Sequence, residues 1–150
     1  MKDIYYEDYD TDQIYITKSI IIDERAIIEF AEKYDPQAHH LNHEAGKKTA
    51  FGGLVASGWH TASLTMKLFV DSDFTPVCGF IGAGFDDLSW PTPVRPQDEI
   101  HAVIQVLNRR ISKSRPSHGL LKVQVYTYNQ KNEVVQKQIV NLLVPRRPES

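Results

Sequence analysis

The fold is decided by the stretch SGWHTASLTMKLFV, which spans Ser57–Val70. On a helix its apolar residues lie on several sides and not in one stripe, which predicts a helix enclosed by other structure. The overlapping segment Thr49–Met66 contains no Asp, Glu, Lys or Arg, yet its glycine, serine, threonine and histidine residues make it too polar for a membrane span. The stretch therefore predicts a buried helix in the core of a water-soluble protein.

The residues before this helix predict a strand and then an amphipathic helix. Gln13–Ile22 is rich in β-branched residues, which favours strand structure. Asp23 is a good N-cap, and apolar residues recur from there at helical spacing up to Tyr34. Pro36 ends the helix, because proline is incompatible with a helix interior. A further short helical piece is expected around His43–Lys48.

After Cys78 the pattern changes to the alternation of β-strands. Strands are predicted over Phe80–Trp90, Glu99–Ile111, Gly119–Tyr128 and Glu133–Val144. The turn Asn129–Asn132 predicts a hairpin between the last two. A sheet wrapped around one apolar helix satisfies this order, so we expect an α+β fold. One domain over 1–150, with its core at about 14–144, accounts for the whole chain.

Composition narrows the class of function. The 150 residues carry a formal net charge of −2 and are 41% hydrophobic, which is ordinary for a soluble globular protein. This charge gives no support for nucleic-acid binding, and no membrane association is expected. Cys78 is the only cysteine, which excludes an internal disulfide and suits a reducing cytoplasm. The acidic N-terminus has no apolar core, so no signal peptide is expected.

The candidate chemistry lies in the loop DPQAHH, Asp35–His40. Pro36 disfavours helix at Asp35, so Asp35 and His40 are expected on a turning loop, where a carboxylate and an imidazole can exchange protons. The spacing alone also fits an aspartate that caps a turn and solvated imidazoles. Three nearby histidines invite a metal site, but no cysteine lies near and no carboxylate completes a known ligand pattern. Neither a metal nor another cofactor is expected.

Three motifs, in this order, resemble the MaoC-like dehydratases: Asp35–Leu41, Phe51–Ala62 and Trp90–Pro96. The resemblance runs from about Ile16 to Val144. It implies a hotdog fold, a homodimer or a multiple of dimers, and an active site at the subunit interface. It also implies a place in fatty acid metabolism, with addition of water to trans-2-enoyl-CoA thioesters to give (R)-3-hydroxyacyl products.

The same resemblance assigns roles to individual residues. Asp35 and His40 match the catalytic pair of the family, although Gln37 and Ala38 replace the usual Asn and Pro between them. Ser63 matches a polar position of the family's helix and is expected to orient the loop; a satisfied buried hydroxyl is the alternative.

Physical arguments add the remaining candidates. Backbone amides at the start of the long helix, with Gly58 allowing close approach, are expected to stabilise charge on the thioester oxygen. Ser57 lacks the glycines that flank a hydrolase nucleophile, so it is expected to be an N-cap that supports this site. Trp59 is expected in the core, with a substrate contact as the alternative, and the same holds for Trp90.

Two expectations concern the substrate. The small residues Gly58, Thr61, Ala62 and Thr65 predict a tunnel that takes short to medium acyl chains. Arg110 and Arg115 belong to a basic turn that either meets the phosphates of CoA or is a solvated loop.

Two other functions remain open on the sequence. An acyl-CoA thioesterase could use the same fold, because a fold does not determine a reaction. It would use its carboxylate at the thioester carbonyl and would not need His40. A non-catalytic acyl-CoA binder or assembly partner is the second, although the intact Asp35 and His40 argue against it.

Overall fold

An antiparallel sheet of six strands forms the main layer of the computed structural model, which describes residues 2–149. The strands are β1 (Ile14–Ile16), β2 (Ile20–Ile21), β3 (Ile81–Ser89), β4 (Glu99–Ile111), β5 (His118–Tyr128) and β6 (Val134–Pro145). Their order across the sheet is β1-β4-β5-β6-β3, and β2 also pairs with β4. The short β1 and the longer β3 are therefore the two edges.

Three α-helices accompany the sheet: α1 (Glu24–Tyr34), α2 (His43–Lys47) and α3 (Gly58–Val70). Single 3₁₀ turns occur at Tyr6–Asp8 and Ala38–His40. None of the helices in the described part of the chain is long and apolar enough to cross a membrane.

The helix boundaries agree with the predicted ones to within a residue or two. Local signals in the sequence account for them. The Asp23 side chain accepts a hydrogen bond from the Ala26 amide at 2.7 Å, and this N-cap begins α1. Ser57 begins α3 in the same way by accepting from the Trp59 amide at 3.3 Å. Helix α1 stops at Tyr34, two residues before Pro36.

The core confirms the predicted alternation of the long strands. Every second residue is buried in β5 and in β4 as far as Val106, and the pairing of β5 with β6 runs from Val134 opposite Tyr128 to Pro145 opposite His118. The buried sheet residues pack against Phe69 of α3 and against Phe74. A second apolar cluster joins the inner side of α1 to the start of β4. The fold is α+β, as expected.

Helix α3 is less enclosed than the sequence suggests. One face is buried and carries His60, Thr61 and Thr65. On the other face Trp59 is 57% exposed. Trp90 is also 38% exposed, so the prediction that both tryptophans belong to the core is wrong for this chain. Apolar residues lie on several sides of α3 and would be buried only if other structure packed against each side. The sheet of the same chain packs against only one side.

Candidate active site

The loop after α1 brings Asp35 and His40 together. The Asp35 amide still bonds the Ala31 carbonyl at 2.9 Å, and the backbone then leaves the helix at Pro36. The 3₁₀ turn that ends in His40 folds the imidazole back, so that its Nε2 lies 3.3 Å from Oδ2 of Asp35. His40 is only 6% exposed. The two predicted residues therefore share one small, largely buried space.

The hydrogen bonding of His40 determines which ring nitrogen carries the proton. Its Nδ1 lies 2.8 Å from the carbonyl oxygen of Val55. A carbonyl oxygen can only accept, so Nδ1 must donate, and in the neutral ring Nε2 is left unprotonated. In this neutral form the lone pair of Nε2 faces the Asp35 carboxylate, and two acceptors this close are satisfied by a group that donates to both, such as one water molecule.

Asp35 is held by two donors. Ser57 Oγ donates to Oδ2 at 2.7 Å, and Gln37 Nε2 donates to Oδ1 at 2.7 Å. Burial by itself raises the pKa of Asp35, but these hydrogen bonds and the neighbouring imidazoles outweigh it, so the pKa lies below its usual value. Asp35 is therefore a carboxylate at neutral pH.

Ser57, and not Ser63, supports the Asp35–His40 loop. Ser63 is exposed, and within the described chain its hydroxyl donates to the carbonyl of Trp59 one turn back in α3 at 2.8 Å. The prediction that Ser63 orients the loop is therefore wrong within one chain, because Ser63 lies on the outward side of the helix.

His39 packs edge-on against His40, with ring centroids 4.1 Å apart. Burial, and then the neighbouring His40, lower the pKa of His39, although Asp35 opposes this. His39 is thus a neutral wall residue at neutral pH, and the carboxylate of Asp35 faces His40 instead.

A pocket of about 350 Å³ opens beside His40, at the start of α3. It is lined by His39, His40, Phe51, Val55, Ala56, Gly58, Thr61, Trp90, Pro91, Thr92, Pro93, Val94 and Val135. Gly58 is the first residue of α3, and no acceptor within residues 2–149 bonds its N–H. The positive end of the helix dipole and this free donor suit an oxygen that gains negative charge.

Gly58 has a second reason to be glycine. A Cβ atom at this position would lie 2.7 Å from Cδ2 and Cε2 of the Trp90 indole. Trp90 itself is fixed by a hydrogen bond of 2.8 Å from its Nε1 to Oε1 of Gln136 on β6. The sequence places Trp90 in a motif but does not predict that its ring forms a wall of the pocket.

Arg95 is another residue whose role the sequence does not show. Its guanidinium donates to the carbonyl oxygen of Phe51, which lines the pocket. Arg95 thereby ties the loop that contains Gly52 and Gly53 to the segment after β3.

Three of the residues predicted to line the acyl tunnel lie in two separate pockets. Gly58 and Thr61 line the pocket beside His40, whereas Ala62 faces an outward groove of about 360 Å³. Trp59 borders the same outward groove and touches Trp90 edge-on, with ring centroids 5.3 Å apart. Within one chain, the alternative that Trp59 contacts a substrate in the His40 pocket is therefore not supported.

Arg110 and Arg115 lie at the opposite end of the sheet. The pocket adjoins Val135, near the point where Tyr128 pairs with His101. Arg110 pairs with Leu120 nine residues further along β4, which corresponds to about 30 Å. Within one chain, the prediction that these arginines meet the phosphates of CoA is therefore not supported.

No three His, Cys, Asp or Glu side chains within residues 2–149 are grouped so that they could hold a metal ion.

Comparisons with known proteins identify a family for the chain. The family model for the MaoC like domain matches residues 8–129. The uncharacterized protein YdeM of Bacillus subtilis is 30% identical over 140 residues, which are 93% of this chain and 98% of that protein.

Solved structures extend the comparison. The MaoC-like dehydratase from Rhodospirillum rubrum is 43% identical, with a TM-score of 0.93 over 97% of this chain and 99% of that one. The (R)-hydratase PhaJ1 from Pseudomonas aeruginosa is 21% identical, with a TM-score of 0.77 over 97% of this chain and 88% of that one, and shows the same hotdog fold. The chain therefore belongs to the MaoC-like domain family.

Proposed function

We propose that this protein is a hydratase that adds water to trans-2-enoyl-CoA thioesters to give (R)-3-hydroxyacyl-CoA, and that catalyses the reverse dehydration. The observation that carries the proposal is the 3.3 Å approach of Asp35 Oδ2 to Nε2 of His40, whose Nδ1 is held by the Val55 carbonyl. Membership of a family that includes a MaoC-like dehydratase at 43% identity supports the reaction class.

The pair can supply both proton transfers of a hydration. A water molecule that donates to Asp35 and to His40 has its oxygen directed into the pocket. As this oxygen bonds to C3 of the enoyl group, one of its protons passes to the pair, and the pair delivers one proton to C2. The C2–C3 double bond is lost, one C–O and one C–H bond form, and the pair returns to its starting protonation state.

The thioester oxygen needs stabilisation while C3 is attacked, because the intermediate has enolate character. The free N–H of Gly58 at the start of α3 is the donor suited to this task. Donors of this kind contribute about 3 kcal/mol each to transition-state stabilisation.

We further propose that the protein works as a two-fold symmetric homodimer. In it, the partner subunit covers β3 and the outward face of α3. Phe85 and Ile81 on the edge strand β3 are each 54% exposed, and Trp59 beside them is 57% exposed. An unpaired edge strand with exposed apolar side chains is a liability in a monomer. A second copy would cover both features with one isologous contact.

The reaction class is tested with crotonyl-CoA and a saturated acyl-CoA. The proposal predicts loss of the enoyl absorbance of crotonyl-CoA, without release of thiol from either ester. Thiol release from the saturated ester would favour a thioesterase instead. Absence of both reactions, with acyl-CoA still bound, would favour a non-catalytic binding protein.

A further inference from the structure

We propose that Trp90 limits the length of the acyl chain, so that the site prefers short enoyl thioesters over medium ones. This inference rests on the proposed hydration reaction and goes further, because it assigns the specificity to one side chain and its partners.

Two contacts fix the indole of Trp90 at the pocket, and a further hydrogen bond fixes its partner Gln136. Its ring lies against Gly58 so closely that a Cβ there would come within 2.7 Å of it. Its Nε1 donates to Gln136 at 2.8 Å, and the Gln136 amide donates in turn to Gln138 at 2.9 Å. Gln136 is fully buried and Gln138 is 6% exposed. The indole is therefore a rigid wall and not a side chain that swings freely.

The space between α3 and the sheet is closed on its other side. One turn beyond Thr61, the hydroxyl of Thr65 lies 2.8 Å from the hydroxyl of Thr127 on β5, and both residues are buried. This contact fills the space between helix and sheet at that point. The tunnel predicted along Gly58, Thr61, Ala62 and Thr65 is thus wrong beyond Thr61, because Thr65 bonds the sheet and Ala62 faces the outward groove.

The remaining volume fits a short chain. The pocket of about 350 Å³ must accept the thioester as well as the acyl group, and it lies at the small end of the roughly 300–1,000 Å³ typical of ligand pockets. A longer chain would have to move the indole from Gly58. That movement would break the bond to Gln136 and leave a fully buried amide oxygen without its donor. A short chain requires neither change.

The test compares crotonyl-CoA with trans-2-octenoyl-CoA as substrates for the parent protein, Trp90→Ala and Trp90→Phe. The parent should prefer crotonyl-CoA in kcat/KM. Trp90→Ala should raise the octenoyl-to-crotonyl ratio of kcat/KM by about tenfold or more, within the range that pocket-size changes produce. Trp90→Phe keeps a ring against Gly58 but loses the bond to Gln136, so its ratio should rise less than that of Trp90→Ala.

Thermal unfolding of each variant verifies that it is folded, and Trp90→Leu replaces Trp90→Ala if the alanine variant does not fold. A parent that hydrates both esters equally well contradicts the Trp90 proposal, as does an unchanged ratio in a folded small-residue variant. A parent that hydrates neither ester contradicts the proposed function itself, so the two failures are distinguishable.

Discussion

Ser57 Oγ lies 2.7 Å from Oδ2 of Asp35, the same carboxylate oxygen that faces His40 Nε2 at 3.3 Å. Ser57 is also the N-cap of α3, the helix that begins with Gly58. One fully buried hydroxyl therefore joins the proposed acid–base residue to the proposed oxyanion donor. Together with the bond from His40 to the Val55 carbonyl, this residue sets the distance between the two parts of the site.

Replacement of Ser57 by Ala should reduce both hydration and stability. Loss of the N-cap should lower the free energy of unfolding by about 1 kcal/mol. Loss of the bond to Asp35 should lower kcat about 10–100-fold, because small displacements of a catalytic group are costly. The pKa of Asp35 should rise, because the hydrogen bond from Ser57 that lowers it is lost while the effect of burial, which raises it, remains. The acid limb of the pH–rate profile should move to higher pH accordingly.

The matched control is Asp23→Ala, which removes the equivalent cap from α1 but no contact to Asp35. Asp23→Ala should lower the free energy of unfolding, measured with urea, by a similar amount. It should leave the rate of hydration largely unchanged. Equal losses of activity in the two variants would show that Ser57 acts only through helix stability.

His60 should make the protein less stable in mild acid. It is 6% exposed, its ring stacks on Phe30 with centroids 4.7 Å apart, and within the described residues its Nδ1 has no hydrogen-bond partner. Burial lowers the pKa of His60 below the ordinary 6.5, although Asp23 opposes this. The unfolded chain therefore binds more protons as pH falls below about 6.5, so this contribution to stability is complete above that pH and is lost below it.

His60→Phe keeps an aromatic ring on Phe30 and removes the titrating group. Urea unfolding at pH 7.5 and pH 5.5 should show a smaller loss of stability on acidification than in the parent. At pH 7.5 the variant should be at least as stable, because an unsatisfied buried nitrogen has been removed. The same pH dependence in both proteins would mean that His60 is not buried as the structure has it.

Sedimentation should show a dimer or a multiple of it for the parent, and Phe85→Glu should shift it toward monomer. Phe85 is 54% exposed on β3, where a partner would bury it, and an unpaired buried carboxylate is strongly destabilising. Ile16→Glu is the control, since Ile16 is 72% exposed on the opposite edge strand β1 and should not affect assembly. A fully active monomeric parent would contradict the proposed interfacial arrangement.

Short-range signals made most of the fold predictable. The caps at Asp23 and Ser57, the stop at Pro36 and the alternation of the long strands each act within a few residues. Such signals can be recognised in the sequence without knowledge of the tertiary structure. The hairpin at Asn129–Asn132 belongs to the same class, because its pattern is local.

The site was predictable only in part, because its remaining contacts join distant positions. Asp35 and His40 are five residues apart, so their approach follows from one loop. The Ser57–Asp35 bond spans 22 residues and the Trp90–Gln136 bond spans 46, and neither leaves a periodic trace in the sequence. The distance of Arg110 from the pocket of its own chain has a geometric cause: β4 is long enough to carry it to the far end of the sheet.

The most direct test of the account is crotonyl-CoA hydration by Asp35→Asn and His40→Ala, with His39→Ala as the adjacent control. The first two variants should each lose about 10²–10⁴-fold in kcat while remaining folded, because each removes one member of the acid–base pair. His39→Ala should lose much less, since His39 makes no bond to the Asp35 carboxylate within the described chain. Hydration that survives both Asp35→Asn and His40→Ala, or that is damaged most by His39→Ala, would contradict the account.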